Sequence, residues 1–323
     1  MNAEPTWGVV STIKAPDTDI LNFAAHYLDL GAHRVHVYLD ADAPKARAAL
    51  KRHPKCRVIL TDEGYWKRRR RAKGRPDAHQ HRQTLNATHC YRRDPQVDWL
   101  FHADVDEFLL PDTPVAARLA DLPASTLSAR VRPIEALEPD SDDPPPAGVT
   151  WCKSFALAQQ TRRARTNAIY PTYGDHLNGG FLSHVEGKIF TRTGQEGVSL
   201  RIHNAFADKK MDPAPADLPE SPLVHMHARS WDHWLALYRY RLSHGSYREG
   251  LKPAPMPDGA SLNKHALFSM LEAEGGEDAL RAFFTEVCVA TPDLRARLDA
   301  HGHLHAVRLD LDTKRARHFP DFA

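Results

Sequence analysis

Residues 7–62 alternate between two hydrophobic periods, and this alternation restricts the fold more than any other feature of the chain. WGVVSTI (7–13) is apolar and rich in β-branched side chains, as a core strand is. Lys14–Asp17 turns, and TDILNFAAHYLDLGA (18–32) brings Ile20, Phe23, Ala24, Tyr27 and Leu28 to one helical face. Thr18 or Asp19 can cap that helix, and Gly31 suits its exit. RVHVYLD (34–40) reads as a second strand, PKARAALKRHP (44–54) as a short helix and CRVILTD (56–62) as a third strand. Strands joined through helices pair in parallel by default, so the fold class is α/β.

The pattern continues with HQHRQTLNATHCYRR, a helix within 76–93, which feeds VDWLFHADVDEFLL. That stretch predicts a strand carrying Asp104, Asp106 and Glu107 to its carboxyl end, the edge where open α/β sheets bind ligands. Beyond it the spacing predicts a helix over 114–124 and strands at 125–136, 187–192 and 198–203, with proline-rich loops at 138–150 and 207–222. LVHMHARS (223–230) precedes an aromatic amphipathic stretch at 230–245, and the last eighty residues hold helices at 277–289 and 292–301. The expected division is a main domain over 1–245, with halves 7–112 and 113–245, and a helical extension over 246–323.

Composition narrows the class. The 323 residues suffice for a full core, with 42% hydrophobic residues and a mean hydropathy of −0.52. No apolar run approaches the roughly 18 residues of a membrane span. The start, MNAEPTWGVVSTIKAP, lacks the basic beginning and apolar core of a secretory leader, so the expected location is cytoplasmic. Cys56, Cys90, Cys152 and Cys288 form no CxxC pair and suit isolated thiols. Net charge is only +2, and the local exception is KRRRRAKGR at 67–75. That run suits plain surface charge, approach to a phosphate or anionic acceptor, or peripheral contact with acidic lipid; it has no interleaved aromatics, which disfavours nucleic acid.

Asp104 and Asp106 alternate around Val105, as side chains of an extended segment can. Carboxylate oxygens at such a place suit Mg²⁺ or Mn²⁺, with bound phosphates completing the sphere. A solvated strand end is the plain alternative, since a DxD triplet is common in loops. Glu107 is expected to orient a ligand or hold the turn.

WGVVSTIKAP, the YLD strand end, the helix with Gln83 and Asn86, and WLFHADVDEFL together resemble bacterial family-2-like glycosyltransferases of the GT-A fold. The resemblance covers about residues 7–112 and extends more loosely to 245. It departs at YLDADAP, where that family has an Asn/Ser/Asp-rich turn. It implies a mixed, mainly parallel central sheet with a helical C-terminal region, a nucleotide-diphosphate sugar as donor and a carbohydrate or glycan as acceptor. It also implies that Thr12 borders the nucleotide and that Asp40 contacts its base or ribose; a turn cap is the plain alternative for Asp40. Gln83 and Asn86, three apart on a helix, can point together toward donor or sheet edge, with ordinary helix-surface polarity as the alternative.

YPTYGDHLNGGFLSHVEGKIFTRTG (170–194) gathers Asp175, His176, Asn178, His184, Glu186 and Lys188. Such a block can shape an acceptor site with Lys188 facing phosphate, or it can be a polar hairpin-rich surface. Inverting transfer needs a base at the acceptor hydroxyl, for which Asp175 and Glu186 are the candidates. The resembling enzymes often return a late histidine to the metal, a placement matched by His225 or His227. These two are expected to face opposite sides of a strand, so that only one binds the ion, with His227 favoured as nearer the polar exit. His203 and Asn204 form a further pocket pair. Trp231, Trp234, Tyr238 and Tyr240 either stack on sugar or pack as a helix face.

The expected activity is therefore metal-dependent glycosyl transfer in glycan or polysaccharide synthesis. The alternatives are a metal-dependent nucleotidyltransferase and a basic module that binds nucleic acid or acidic membrane.

Overall fold

The structure is a computed structural model that describes residues 4–69, 74–213, 216–245, 247–250 and 262–322. Its elements begin with β1 (Trp7–Ile13), α1 (Asp17–Asp29), β2 (Arg34–Leu39), α2 (Pro44–Arg52), β3 (Cys56–Leu60), α3 (Glu63–Lys67), α4 (His79–Arg92), β4 (Trp99–His102) and β5 (Glu107–Leu109). Next come α5 (Val115–Ala120), β6 (Ser128–Val131), β7 (Pro133–Ala136), β8 (Thr150–Lys153), α6 (Gln159–Ile169), β9 (Lys188–Arg192), β10 (Val198–Leu200) and β11 (Ala205–Ala207). The rest are β12 (Lys210–Met211), β13 (Ala216–Asp217), β14 (Leu223–His225), α7 (Trp231–Ser243), α8 (Lys264–Cys288), α9 (Pro292–Ala300), β15 (Leu304–Val307) and α10 (Leu311–His318).

The chain forms two compact units. The first joins Met1–Arg132, Glu186–Leu223 and Asp310–Ala323; the second joins Pro133–Val185 and Val224–Leu309.

In the first unit a seven-stranded sheet runs in the order β13-β6-β9-β4-β1-β2-β3. β1 pairs in parallel with β2 and β4, and β2 with β3, as the crossover helices require. β9 enters antiparallel between β4 and β6, so the sheet is mixed and mainly parallel, matching a GT-A-like architecture. β1 is buried along its whole length because helices cover both faces. α1 buries the expected Ile20, Phe23, Ala24, Tyr27 and Leu28. It also pins the chain beyond β4: the Tyr27 hydroxyl donates to the Glu107 carbonyl at 2.9 Å, and His26 Nε2 meets the Leu109 carbonyl at 2.8 Å. The stretch expected to be only loop, 207–222, contributes the short strands β12 and β13.

In the second unit β7 pairs antiparallel with β8, and β8 with β15. Ser154 Oγ meets both His303 Nδ1 (3.0 Å) and His305 Nε2 (2.9 Å), which ties the outer strand down. Trp231, Trp234 and Tyr238 of α7 are buried against Phe268 and Phe284 of α8, the packed-face alternative; Tyr240 is exposed. α8 includes the expected helix at 277–289 as its second part. The first part precedes a break at Gly276, whose φ of 60° only glycine adopts at ease. Among the described residues no helix is long and apolar enough to cross a membrane.

Candidate functional site

Three parallel strands of the first unit end in polar residues, and α4 meets each of them. Thr12 lies near the end of β1, Asp40 follows β2, and Asp104 follows β4. Asn86 Nδ2 donates to Thr12 Oγ1 at 3.1 Å, Arg82 Nε to Asp40 Oδ2 at 2.7 Å, and Gln83 Nε2 to Asp104 Oδ1. One helix thus serves three strand ends, and Gln83 and Asn86 do turn toward the sheet edge together.

Asp40 is bonded from several sides. Besides Arg82 it takes Arg75 Nη2 at 3.0 Å, the Thr61 hydroxyl at 3.3 Å and His79 Nδ1 at 3.4 Å. Burial alone would raise its pKa; the His79, Arg82 and Arg75 side chains outweigh that and hold it at about 2. Arg82 also donates to the carbonyls of Pro76 and Asp77, so it moors the segment entering α4. Sequence reasoning missed Arg82, although its place beside Gln83 on an otherwise polar helix was the available signal.

Asp104 sits in a tight turn closed from both sides. Its backbone N–H donates to Glu107 Oε2 at 2.8 Å, and the Glu107 N–H returns to the Asp104 carbonyl at 3.1 Å. Glu107 therefore holds the turn. Lys188, fully buried on β9, places Nζ 2.8 Å from Asp104 Oδ2 and 3.3 Å from Glu107 Oε2. Burial would strip its proton, but the two carboxylates prevail and raise its pKa. Lys188 accordingly faces acids in this structure. Val105 and Asp106 form the tip of the turn and are half-buried.

Two histidines flank this cluster. His102 Nδ1 donates to the Arg201 carbonyl at 3.0 Å, and His203 Nδ1 to that of Gly187 at 2.9 Å. Burial, with Lys188 next, lowers their pKa values to about 4 and about 3, so both rings are neutral and keep a lone pair on Nε2. Arg130 gathers the neighbouring chain, donating to the Glu186 and His203 carbonyls and to Asn204 Oδ1. The Glu186 residue itself is exposed.

Of the basic run 67–75, residues 70–73 lie outside the described residues. Lys67 and Arg68 are exposed, and Arg69 stacks on Tyr65 and reaches Asn86 Oδ1 at 3.4 Å.

The second unit holds the other predicted groups. Asp175 is exposed; a hydrogen bond from Asn167 at 2.6 Å, then Arg163, lowers its pKa. His184 and His225 have ring centroids 5.6 Å apart, and His225 and His227 5.2 Å. The expectation that His225 and His227 face opposite sides is corrected: positions i and i+2 of an extended chain point the same way, and the rings are neighbours. Trp234 Nε1 donates to the Tyr247 hydroxyl at 3.1 Å, and that hydroxyl lies 3.1 Å from His227 Nε2. The phenol oxygen accepts from the indole, and it pairs with His227 Nε2 in either tautomer of that ring. Burial, then Arg241, keeps His227 neutral, well below its ordinary pKa.

No protein-family model matches this sequence, and no curated protein matches it. Among solved structures the chain is similar to the galactosyltransferase LgtC in complex with donor and acceptor sugar analogs, at 11% identity over 57% of each chain with a TM-score of 0.27. It is similar also to an active-site mutant of LgtC, at 13% identity over 57% of each chain with a TM-score of 0.26. HddC from Yersinia pseudotuberculosis aligns at 9% identity over 73% of this chain and 99% of that one, with a TM-score of 0.31. The chain thus spans 57% of the length of the galactosyltransferase structures. Likeness this distant assigns no activity.

Proposed function

We propose that this protein is a metal-dependent glycosyltransferase that moves a sugar from a nucleotide-diphosphate donor to a hydroxyl acceptor in glycan or polysaccharide synthesis. The observation that supports it best is the single face of α4 bonded to Thr12, Asp40 and Asp104, three polar residues at the carboxyl ends of adjacent parallel strands. Such an edge is where a nucleotide is bound in open α/β sheets.

Thr12, Asp40, Gln83 and Asn86 are assigned to the nucleoside, with Arg75, the more exposed partner of Asp40, free to turn toward phosphate. Lys188 pairs with Asp104 and Glu107 and adds positive charge on the donor side. Asp104 and Asp106 are the proposed oxygen ligands of Mn²⁺ or Mg²⁺, and their hard carboxylate donors fit either ion. When bound, that ion offsets charge on the departing nucleoside diphosphate. The late histidine is proposed to be His225 or His227, whose rings are neighbours. Glu186 is preferred to Asp175 as the base that accepts the acceptor proton, because the Asp175 carboxylate is already engaged by Asn167 and Arg163. Contact of 67–75 with acidic lipid is a subsidiary proposal, tested by sedimentation with phosphatidylserine vesicles.

A panel of nucleotide sugars in Mn²⁺, with and without sugar acceptors, tests the activity. Nucleoside diphosphate release stimulated by an acceptor is the expected result. Pyrophosphate release from a sugar phosphate plus nucleoside triphosphate would instead establish nucleotidyl transfer.

A further inference from the structure

Gly180–Ser183 crosses the second unit without belonging to any helix or strand, yet Phe181 and Leu182 are buried. Irregular backbone in an interior lacks a ladder to satisfy its polar groups, and each one left unpaired costs about 1–3 kcal/mol. Three ionisable side chains take the place of that ladder. Glu135 on β7 accepts from the backbone N–H of Leu182 (3.1 Å) and of Ser183 (2.8 Å). Lys153, its register neighbour on β8, donates to the carbonyls of Gly180 and Val287, both at 2.7 Å, and lies 3.4 Å from Glu135 Oε2. Lys264, the first residue of α8, donates to the carbonyls of Leu182 (2.5 Å) and Ser183 (2.9 Å).

Glu135 and Lys153 are almost wholly withdrawn from solvent, at 1% and 0% side-chain exposure. A pair so buried seldom adds stability over apolar residues of equal volume. Here, however, apolar residues could not bond the backbone of 180–183, so the pair fixes one path for that segment. Gly180 narrows the path further: its φ is 79°, and a Cβ there would lie 2.1 Å from the Tyr170 ring. The next residue after the held segment is His184, whose ring neighbours that of His225.

We infer that Glu135, Lys153 and Lys264 form a charged cradle that positions Gly180–His184 as the wall against which the sugar acceptor is bound. The assignment rests on the glycosyl-transfer reading. All three are positioning residues, acting through the backbone they hold. Their loss should misplace the acceptor while leaving the donor untouched.

The test uses the full chain with Lys264→Met, Lys264→Arg and Glu135→Gln. Acceptor kcat/KM should fall about 100-fold in Lys264→Met and Glu135→Gln, the scale of a misplacement near 1 Å. Donor affinity and acceptor-independent donor hydrolysis should stay at wild-type values, and Lys264→Arg, which retains the donor groups, should recover most of the loss. Amide hydrogen exchange should quicken selectively over 180–186. Wild-type acceptor kcat/KM in Lys264→Met, or an equal fall in donor hydrolysis, overturns the assignment. Should Glu135→Gln not fold, the Lys264 pair decides alone. Should the wild-type protein turn over no nucleotide sugar, the glycosyl-transfer reading falls and takes the acceptor role with it. Hydrogen exchange then still decides the cradle itself, since unchanged exchange over 180–186 refutes it.

Discussion

Asp104 and Glu135 are both carboxylates beside a buried lysine, yet their surroundings differ in kind. Asp104 keeps 24% of its side chain open, and its side-chain partners Gln83 and Lys188 are themselves side chains. Glu135 is 1% exposed and bonds mainly to backbone N–H groups. A carboxylate partly open at a sheet edge can take a ligand at modest cost while Glu107 retains the buried Lys188. A backbone group in the interior has no substitute. The first arrangement is built to be used, the second to be kept.

The sharpest way to break this comparison is to remove one lysine from the interior pair. Lys153→Met strands the Glu135 charge and should cost about 3–5 kcal/mol, read as a fall in the urea midpoint at unchanged slope. A loss under about 1 kcal/mol would mean that the interior pair is as dispensable as a surface one. Next in size is Arg82→Ala. It removes charge-assisted bonds to Asp40 and to the Pro76 and Asp77 carbonyls, for about 2–3 kcal/mol by the same measurement.

A third prediction concerns acid. The Asp40 pKa is depressed in the fold from 3.8 to about 2. Its contribution to stability is therefore present above the unfolded value and is lost as pH falls through the folded one. Between pH 5 and pH 2 the wild-type protein should lose on the order of 2 kcal/mol that Asp40→Asn does not lose, measured as the difference between their urea midpoints across that range. An effect of similar size, about 2 kcal/mol, is expected at Tyr247→Phe, which deprives the buried His227 Nε2 and the Trp234 N–H of their partner, seen as a fall in Tm.

Much of the first unit is legible because its signals are local. β1, α1, β2, α2 and β3 each declare themselves within a dozen residues, through apolar runs, one-face helical spacing and turn residues. The exit of Asp104 and Asp106 from β4 follows from the same patterning. What binds Asp40 and Asp104 is not local. Arg82 lies 42 residues from Asp40 and Lys188 lies 84 from Asp104, and no periodicity links such positions. Likewise nothing in the last fourteen residues announces that they rejoin the first unit, where Arg315 bonds to Asn22. The first part of α8 is hidden by Gly275 and Gly276, which read as a helix end. The placing of His225 and His227 is different again: their same-side arrangement follows from the two-residue period of extended chain.

The central claim, that the carboxyl edge of the first unit's sheet binds a nucleoside diphosphate with a divalent ion, is tested most directly by titration calorimetry. Wild-type protein and Asp104→Asn/Asp106→Asn, each verified as folded by near-ultraviolet circular dichroism, are titrated with UDP and GDP in Mn²⁺ and in EDTA. The predicted result is binding of one nucleotide by the wild type that needs Mn²⁺ and is absent from the variant. Equal, metal-dependent binding by both proteins would contradict it.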